Sequence, residues 1–188
     1  MNFAHNRLCS SAGWARRVEG ELIPWGLDGV ELGDDVLEIG PGFGATTRLL
    51  ADRVPKLTAV ELSEDYCARL RGELGDRVAV GQGDATDLPY PEGRFSAAVC
   101  FTMLHHIDSP GRQDRAFAEV ARVLRPGGVF AGTDSLGVGL KFRLIHIGDT
   151  LNLIDPAGLP QRLAAAGLVS IEVDTSERSL RFRARRPA

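Results

Sequence analysis

The chain has 188 residues, 44% of them apolar and 25% charged, and a formal net charge of -3. That length and composition suit one buried core and exclude both a wholly disordered protein and a small disulfide-stapled scaffold. Mild acidity gives no bulk attraction to a nucleic-acid backbone, so no nucleic-acid partner is expected.

Residues 1–33 carry both tryptophans, Trp14 and Trp25, and read as a helical lead-in on the edge of a sheet or over its mouth. A strand–helix alternation follows. Short apolar runs at 36–39, 57–60, 78–80, 97–101 and 129–131 read as buried strands. Helix patterns lie between them. One covers 46–54. The next covers 63–74, with Leu62, Tyr66, Leu70 and Leu74 at steps of four. Ser109-Pro110 opens another, with Ser as N-cap and Pro at the first helical position, and puts Phe117, Val120, Ala121 and Leu124 on one face. The breakers Arg125-Pro126-Gly127-Gly128 end it. In the glycine-spaced stretch 135–154, Leu140, Leu144 and Ile147 recur at helical spacing, as either a lid or a core-packing helix. Asp155-Pro156 caps a helix bearing Leu159 and Leu163 that closes at Gly167. Residues 169–175 and 180–185 read as a hairpin turning at Ser176-Glu177. This order predicts a parallel sheet covered on both faces, a doubly wound three-layer α/β sandwich. It predicts one domain over 1–188, divided into the lead-in 1–33, a binding core 34–134 and an end segment 135–188.

Chemistry gathers first at Glu38-Ile39-Gly40-Pro41-Gly42-Phe43-Gly44, between a strand and a helix. Glycines there allow a tight turn and let a ligand approach bare backbone. With Ala45 in the third place the spacing also fits a dinucleotide loop, and Glu61 at the end of strand two suits the ribose diol of either ligand. Glu38 favours a ligand with a cationic end over a pyrophosphate, by Coulomb sign. Gly83-Asp84-Ala85, after strand three, offers an acceptor for an adenine amino group.

These pieces, with Leu104-His105-His106 and 124–128, resemble the class I S-adenosylmethionine-dependent methyltransferases. The similarity is closest to the small-molecule, type 11 branch that includes quinone-biosynthesis enzymes. It spans about residues 34–134. It implies a mostly parallel seven-stranded sheet with the last strand antiparallel. It implies S-adenosylmethionine as cofactor and S-adenosylhomocysteine as product. Carried over by position, Gly40, Pro41, Gly42 and Gly44 line the methionine part, and Glu38 sits near its amine, directly or through water. Glu61 accepts from the ribose hydroxyls, and Leu62 plates the adenine ring. Asp84 meets the adenine amino group beside the Ala85 backbone, and Phe101 offers its carbonyl to the amine.

In-line methyl transfer needs alignment and exclusion of water, and for some acceptors a base. His106 and His146 are the candidate catalytic bases. His105 adjoins His106, and one of that pair is expected to face the substrate while the other packs locally. The pair shows no third ligand at useful spacing, so no metal is expected. Trp14, His106 and the segment around His146 are expected to enclose a small-molecule acceptor. Cys9, Cys67 and Cys100 match no metal motif and read as reduced thiols. Without a signal core or a membrane-length apolar run, the expected place is the cytoplasm, with no integral membrane association. The alternatives are a nicotinamide-dependent oxidoreductase, which lacks a Tyr-x-x-x-Lys pair here, and a non-catalytic S-adenosylmethionine-binding regulator on the same fold.

Overall fold

The structure, a computed structural model, describes residues 3–188. Strands β1 (Asp35–Ile39), β2 (Lys56–Glu61), β3 (Ala79–Gln82), β4 (Phe95–Phe101), β5 (Leu124–Ser135), β6 (Val169–Thr175) and β7 (Ser179–Arg185) form one sheet in the order β3-β2-β1-β4-β5-β7-β6. The pairs among β1 to β5 are parallel, and β7 runs antiparallel to both β5 and β6. The chain order reverses between β1 and β4, so a crevice opens where their carboxyl ends diverge.

The central strands are apolar on both faces because helices cover both. Along β4, Ala97, Val99 and Phe101 join one core, while Ala98 and Cys100 join the other. The second core is closed by α6 (Pro110–Val123) and α8 (Leu159–Ala165), through Phe117, Val120, Leu159 and Leu163. The first is closed by α4 (Ala45–Ala51) and α5 (Glu64–Leu74), through Leu50, Leu70 and Leu74, and by the lead-in. Gly132 is required where β5 approaches β4: a Cβ there would lie 1.9 Å from the Cys100 carbonyl oxygen.

The lead-in comprises α1 (Phe3–Cys9), α2 (Ala12–Arg17), a π-helical turn Val18–Leu22 and α3 (Ile23–Gly26). It does not lie on a sheet edge. Val18, Leu22 and Ile23 are buried against the sheet face, while α1 and α2 reach the mouth. Two boundaries and the facing of one helix differ from expectation. The Arg125-Pro126-Gly127-Gly128 stretch belongs to the extended start of β5, since α6 already ends at Val123. Asp155-Pro156 forms a turn, and α8 begins only at Leu159. In α7 (Leu140–Ile145) and the residues after it, Leu140, Leu144 and Ile147 face outward and are exposed, so that stripe does not pack in the core, while the opposite face of α7 lies over the mouth. Phe142 and Ile145 are the side chains of α7 that face inward.

Candidate functional site

A cavity of about 560 Å³ opens at the carboxyl ends of β1, β2 and β4, below α1, α2 and α7. Its floor is the loop Gly40-Pro41-Gly42. Gly40, Gly42 and Gly44 all have positive φ, so the turn itself demands glycine. Their surroundings differ. A Cβ on Gly40 would meet Met103 Cγ at 2.2 Å, and one on Gly44 would meet Leu70 Cδ2 at 2.4 Å, whereas Gly42 faces open space. Gly44 lies off the cavity wall: it is the buried N-cap of α4, tucked under α5.

Glu38 lies off the wall as well. It is 1% exposed and accepts a hydrogen bond from the hydroxyl of Thr46, which does line the cavity. Its Oε2 is buried with no hydrogen-bond partner among the described residues. Burial pushes its carboxyl pKa up to about 7 against the opposing Thr46 bond. Glu61 does reach the wall. Its Oε2 accepts from Gly42 N and its Oε1 from Ser63 N, each at 3.0 Å, so the carboxylate ties the glycine loop to the start of α5. Leu62 beside it is 65% exposed along the same wall.

Asp84 and Ala85 follow β3 on the wall. Asp84 Oδ1 accepts from Thr86 N and Thr86 Oγ1 at 2.8 Å, and its Oδ2 pairs with Arg112 Nη2 at 2.6 Å. Desolvation opposes the charge of Asp84, but the Thr86 and Arg112 contacts outweigh it and hold its pKa below the ordinary carboxylate value. Phe101 closes the back, followed by Thr102, a non-glycine residue at φ 52°. Such strain at a cavity wall marks a position fixed by its surroundings.

On the opposite wall the structure gathers Trp14, Leu8 and Cys9 from the lead-in with His105, His106, Phe142 and His146. His105 does not turn away from His106. Both line the cavity, their ring centroids 4.2 Å apart, because the tight turn Leu104–His106 stacks consecutive side chains. Buried Gln113 holds that turn, donating from Nε2 to Leu104 O at 3.0 Å and Asn152 O at 2.8 Å. His105 Nδ1 bonds the buried Asp134 carboxylate, whose Oδ2 also takes the His105 backbone N–H at 2.9 Å. His146 Nδ1 bonds the Phe142 carbonyl at 2.7 Å. Burial lowers the His146 pKa. The Cys9 thiol is pushed up to about 11 by burial and by Asp149, which keeps it protonated at neutral pH.

Arg112 and Asp134 escape the sequence reading, because each acts on a residue of a distant element, and Thr46 escapes it because a helix-start threonine does not announce the carboxylate before it. The strained Thr102 carries no sequence signal at all. Trp25 faces away from the cavity, beneath Arg181. No helix among the described residues is long and apolar enough to cross a membrane.

The family model described as a methyltransferase domain matches residues 37–132, the stretch that builds this cavity's floor and side walls. A 27-O-demethylrifamycin SV methyltransferase of Amycolatopsis mediterranei is 31% identical over 140 residues, 71% of this chain and 45% of its own. A ribosomal RNA small subunit methyltransferase A of Cupriavidus taiwanensis is 45% identical over 60 residues, 32% of this chain and 22% of its own. The chain thus spans less than half the length of these curated relatives. In fold, it superposes on the PH0226 protein of Pyrococcus horikoshii with a TM-score of 0.77, at 20% identity, covering 94% of this chain and 92% of that one. With the matched segment spanning half the chain and the sheet order unbroken through it, the protein belongs to the S-adenosylmethionine-dependent methyltransferase domain family.

Proposed function

We propose that this chain transfers a methyl group from S-adenosylmethionine to a small-molecule acceptor. The observation that carries the reading is the succession of groups around one cavity: a bare glycine loop after β1, Glu61 and exposed Leu62 after β2, and Asp84 after β3. The cofactor's demands fit these residues. Gly42 has room for a ligand against its backbone, and buried Glu38 lies behind the loop, linked to the cavity wall by the Thr46 hydroxyl.

When bound, the cofactor supplies the methyl group and a neutral thioether leaving group. Gly40, Pro41 and Gly42 present backbone to its amino-acid part. Glu38 acts on the amine through Thr46 or water, which suits its place behind the wall, and the Phe101 carbonyl adds an acceptor. Glu61 holds the ribose diol, already aimed by two backbone N–H donors. Leu62 covers the adenine, and Asp84 with Ala85 reads its edge, Arg112 holding the Asp84 side chain in place. Gly44 shapes the loop without touching ligand. The acceptor lies against Trp14, Phe142 and Ile145, with His106 and His146 as its polar neighbours. These apolar walls exclude water and suit a compact, partly apolar molecule. The rifamycin-type relative also favours this class.

The test is turnover with a labelled methyl donor against a panel of small hydroxylated and amino acceptors, with ribosomal RNA as a separate arm. Label in a small acceptor supports the reading. Label in RNA alone, or in nothing across the panel while cofactor binds, contradicts it.

A further inference from the structure

We propose that His105, His106 and His146 form a binding site for one divalent transition-metal ion of the zinc class, set in the acceptor wall of the cavity. The three histidines each bring a ring nitrogen within 4.8 Å of the others. They are the only such group of three or more potential ligands among the described residues. Their rings pack mutually, His105 with His146 at 5.4 Å and His106 with His146 at 5.7 Å between centroids.

Three features favour a metal over incidental packing. First, the ligands converge from separate elements. Two come from the turn after β4, which Gln113 and Asn152 clamp, and the third from the residue that ends α7. Second, outer partners fix the rings. His105 Nδ1 bonds the Asp134 carboxylate, and His146 Nδ1 bonds the Phe142 carbonyl. That puts the ring proton on Nδ1 in both and leaves Nε2 as the basic nitrogen. The carboxylate–histidine pairing is the support that metal-bound imidazoles commonly have. Asp134 is itself held by the backbone N–H groups of His105 and Ser135, so it is a rigid positioning residue. Third, the donor set is chemically selective. Imidazole nitrogens suit zinc, cobalt, nickel or copper, whereas magnesium and calcium require oxygen donors. Tetrahedral coordination at about 2.0–2.1 Å spaces nitrogens about 3.4 Å apart. The rings need to draw in by roughly 1 Å, a small shift for the short α7 segment.

Three protein ligands with an open fourth position is the pattern of a metal that handles substrate. All three rings line the cavity, so that position faces the space opposite the glycine loop. A cation there lowers the pKa of a bound hydroxyl or water. Its relevance to an acceptor rests on the methyl-transfer reading; the ion site itself does not.

The experiment is a titration of the chelator-stripped chain with cobalt(II), read by its visible ligand-field absorption, with S-adenosylhomocysteine calorimetry on the same preparation. We expect one equivalent of tetrahedral cobalt, displaced by zinc and not by magnesium. His106→Ala and His146→Ala, each checked for folding by thermal melts, should weaken the cobalt affinity about a hundredfold or more. Asp134→Asn should weaken it about 10–100-fold. Absence of a saturable cobalt spectrum overturns the metal site, as does a spectrum unchanged in both folded histidine variants. A chain that binds S-adenosylhomocysteine without cobalt loses the metal alone. One that binds cobalt but not S-adenosylhomocysteine keeps the metal and loses the methyl-transfer reading.

Discussion

Glu38 shows how one buried carboxylate links stability to ligand. Folded, it keeps its proton to about pH 7, whereas the unfolded chain releases it near the ordinary 4.5. The folded state therefore binds more protons between those values. The stability from this group is complete below pH 4.5 and is lost as pH rises through 7. Glu38→Gln should flatten that loss, gaining on the order of 2 kcal/mol over the parent at mildly alkaline pH, read by urea unfolding across pH. An identical pH profile in the variant would contradict the assignment. Glu61 is the opposite case, a carboxylate presented to the cavity. In the proposed site its bonds to a ribose diol would be worth roughly 1.5–3 kcal/mol, so Glu61→Ala should weaken S-adenosylhomocysteine binding by about one to two decades. Gly40→Ala tests the loop: its Cβ strikes Met103 at φ 67°, so it should cost roughly 2–4 kcal/mol in thermal or urea unfolding. Strand ends were legible in the sequence because alternation counts them out, which brings Glu61 and Asp84 into view. The Asp84–Arg112 and His105–Asp134 pairs were not, since nothing local in the chain announces a partner about 30 residues away in another element.

At the scale of elements, the sheet strands and α5, α6 and the closing hairpin follow directly from periodicity and caps. Ser109, for example, caps α6 by accepting from Arg112 N at 3.4 Å. The segments over the mouth do not. The helical spacing of Leu140, Leu144 and Ile147 points to an inward face, but the helix is only 6 residues long and its inward residues are Phe142 and Ile145. A short element is oriented by its anchors rather than by its own moment. Here His146 is the anchor, 5% exposed at the end of α7. His146→Ala should lower turnover at least about tenfold while leaving S-adenosylhomocysteine affinity within about twofold, because in the proposed arrangement it touches only the acceptor side. Equal losses in both would show that α7 shapes the cofactor half instead. The lead-in is also anchored across the mouth, since Tyr66 of α5 donates to Asn6 Oδ1 of α1 at 2.9 Å. Tyr66→Phe removes that tie and should raise KM for the acceptor severalfold with kcat little changed.

Across the whole molecule, the reversal of strand order between β1 and β4 puts the glycine loop, Glu61, Asp84 and the histidine cluster around one crevice. The same architecture serves nicotinamide enzymes, so the fold does not choose the ligand. The choice rests on charge: the carboxyl group of Glu38 behind the loop favours a sulfonium amino acid over a pyrophosphate. The most direct test is therefore calorimetric titration of the full chain with S-adenosylhomocysteine and, separately, with NAD. Saturable one-to-one binding of S-adenosylhomocysteine is expected, weakened about tenfold or more by Glu61→Ala, with no saturable heat from NAD. Saturable NAD binding with no response to S-adenosylhomocysteine would contradict this expectation.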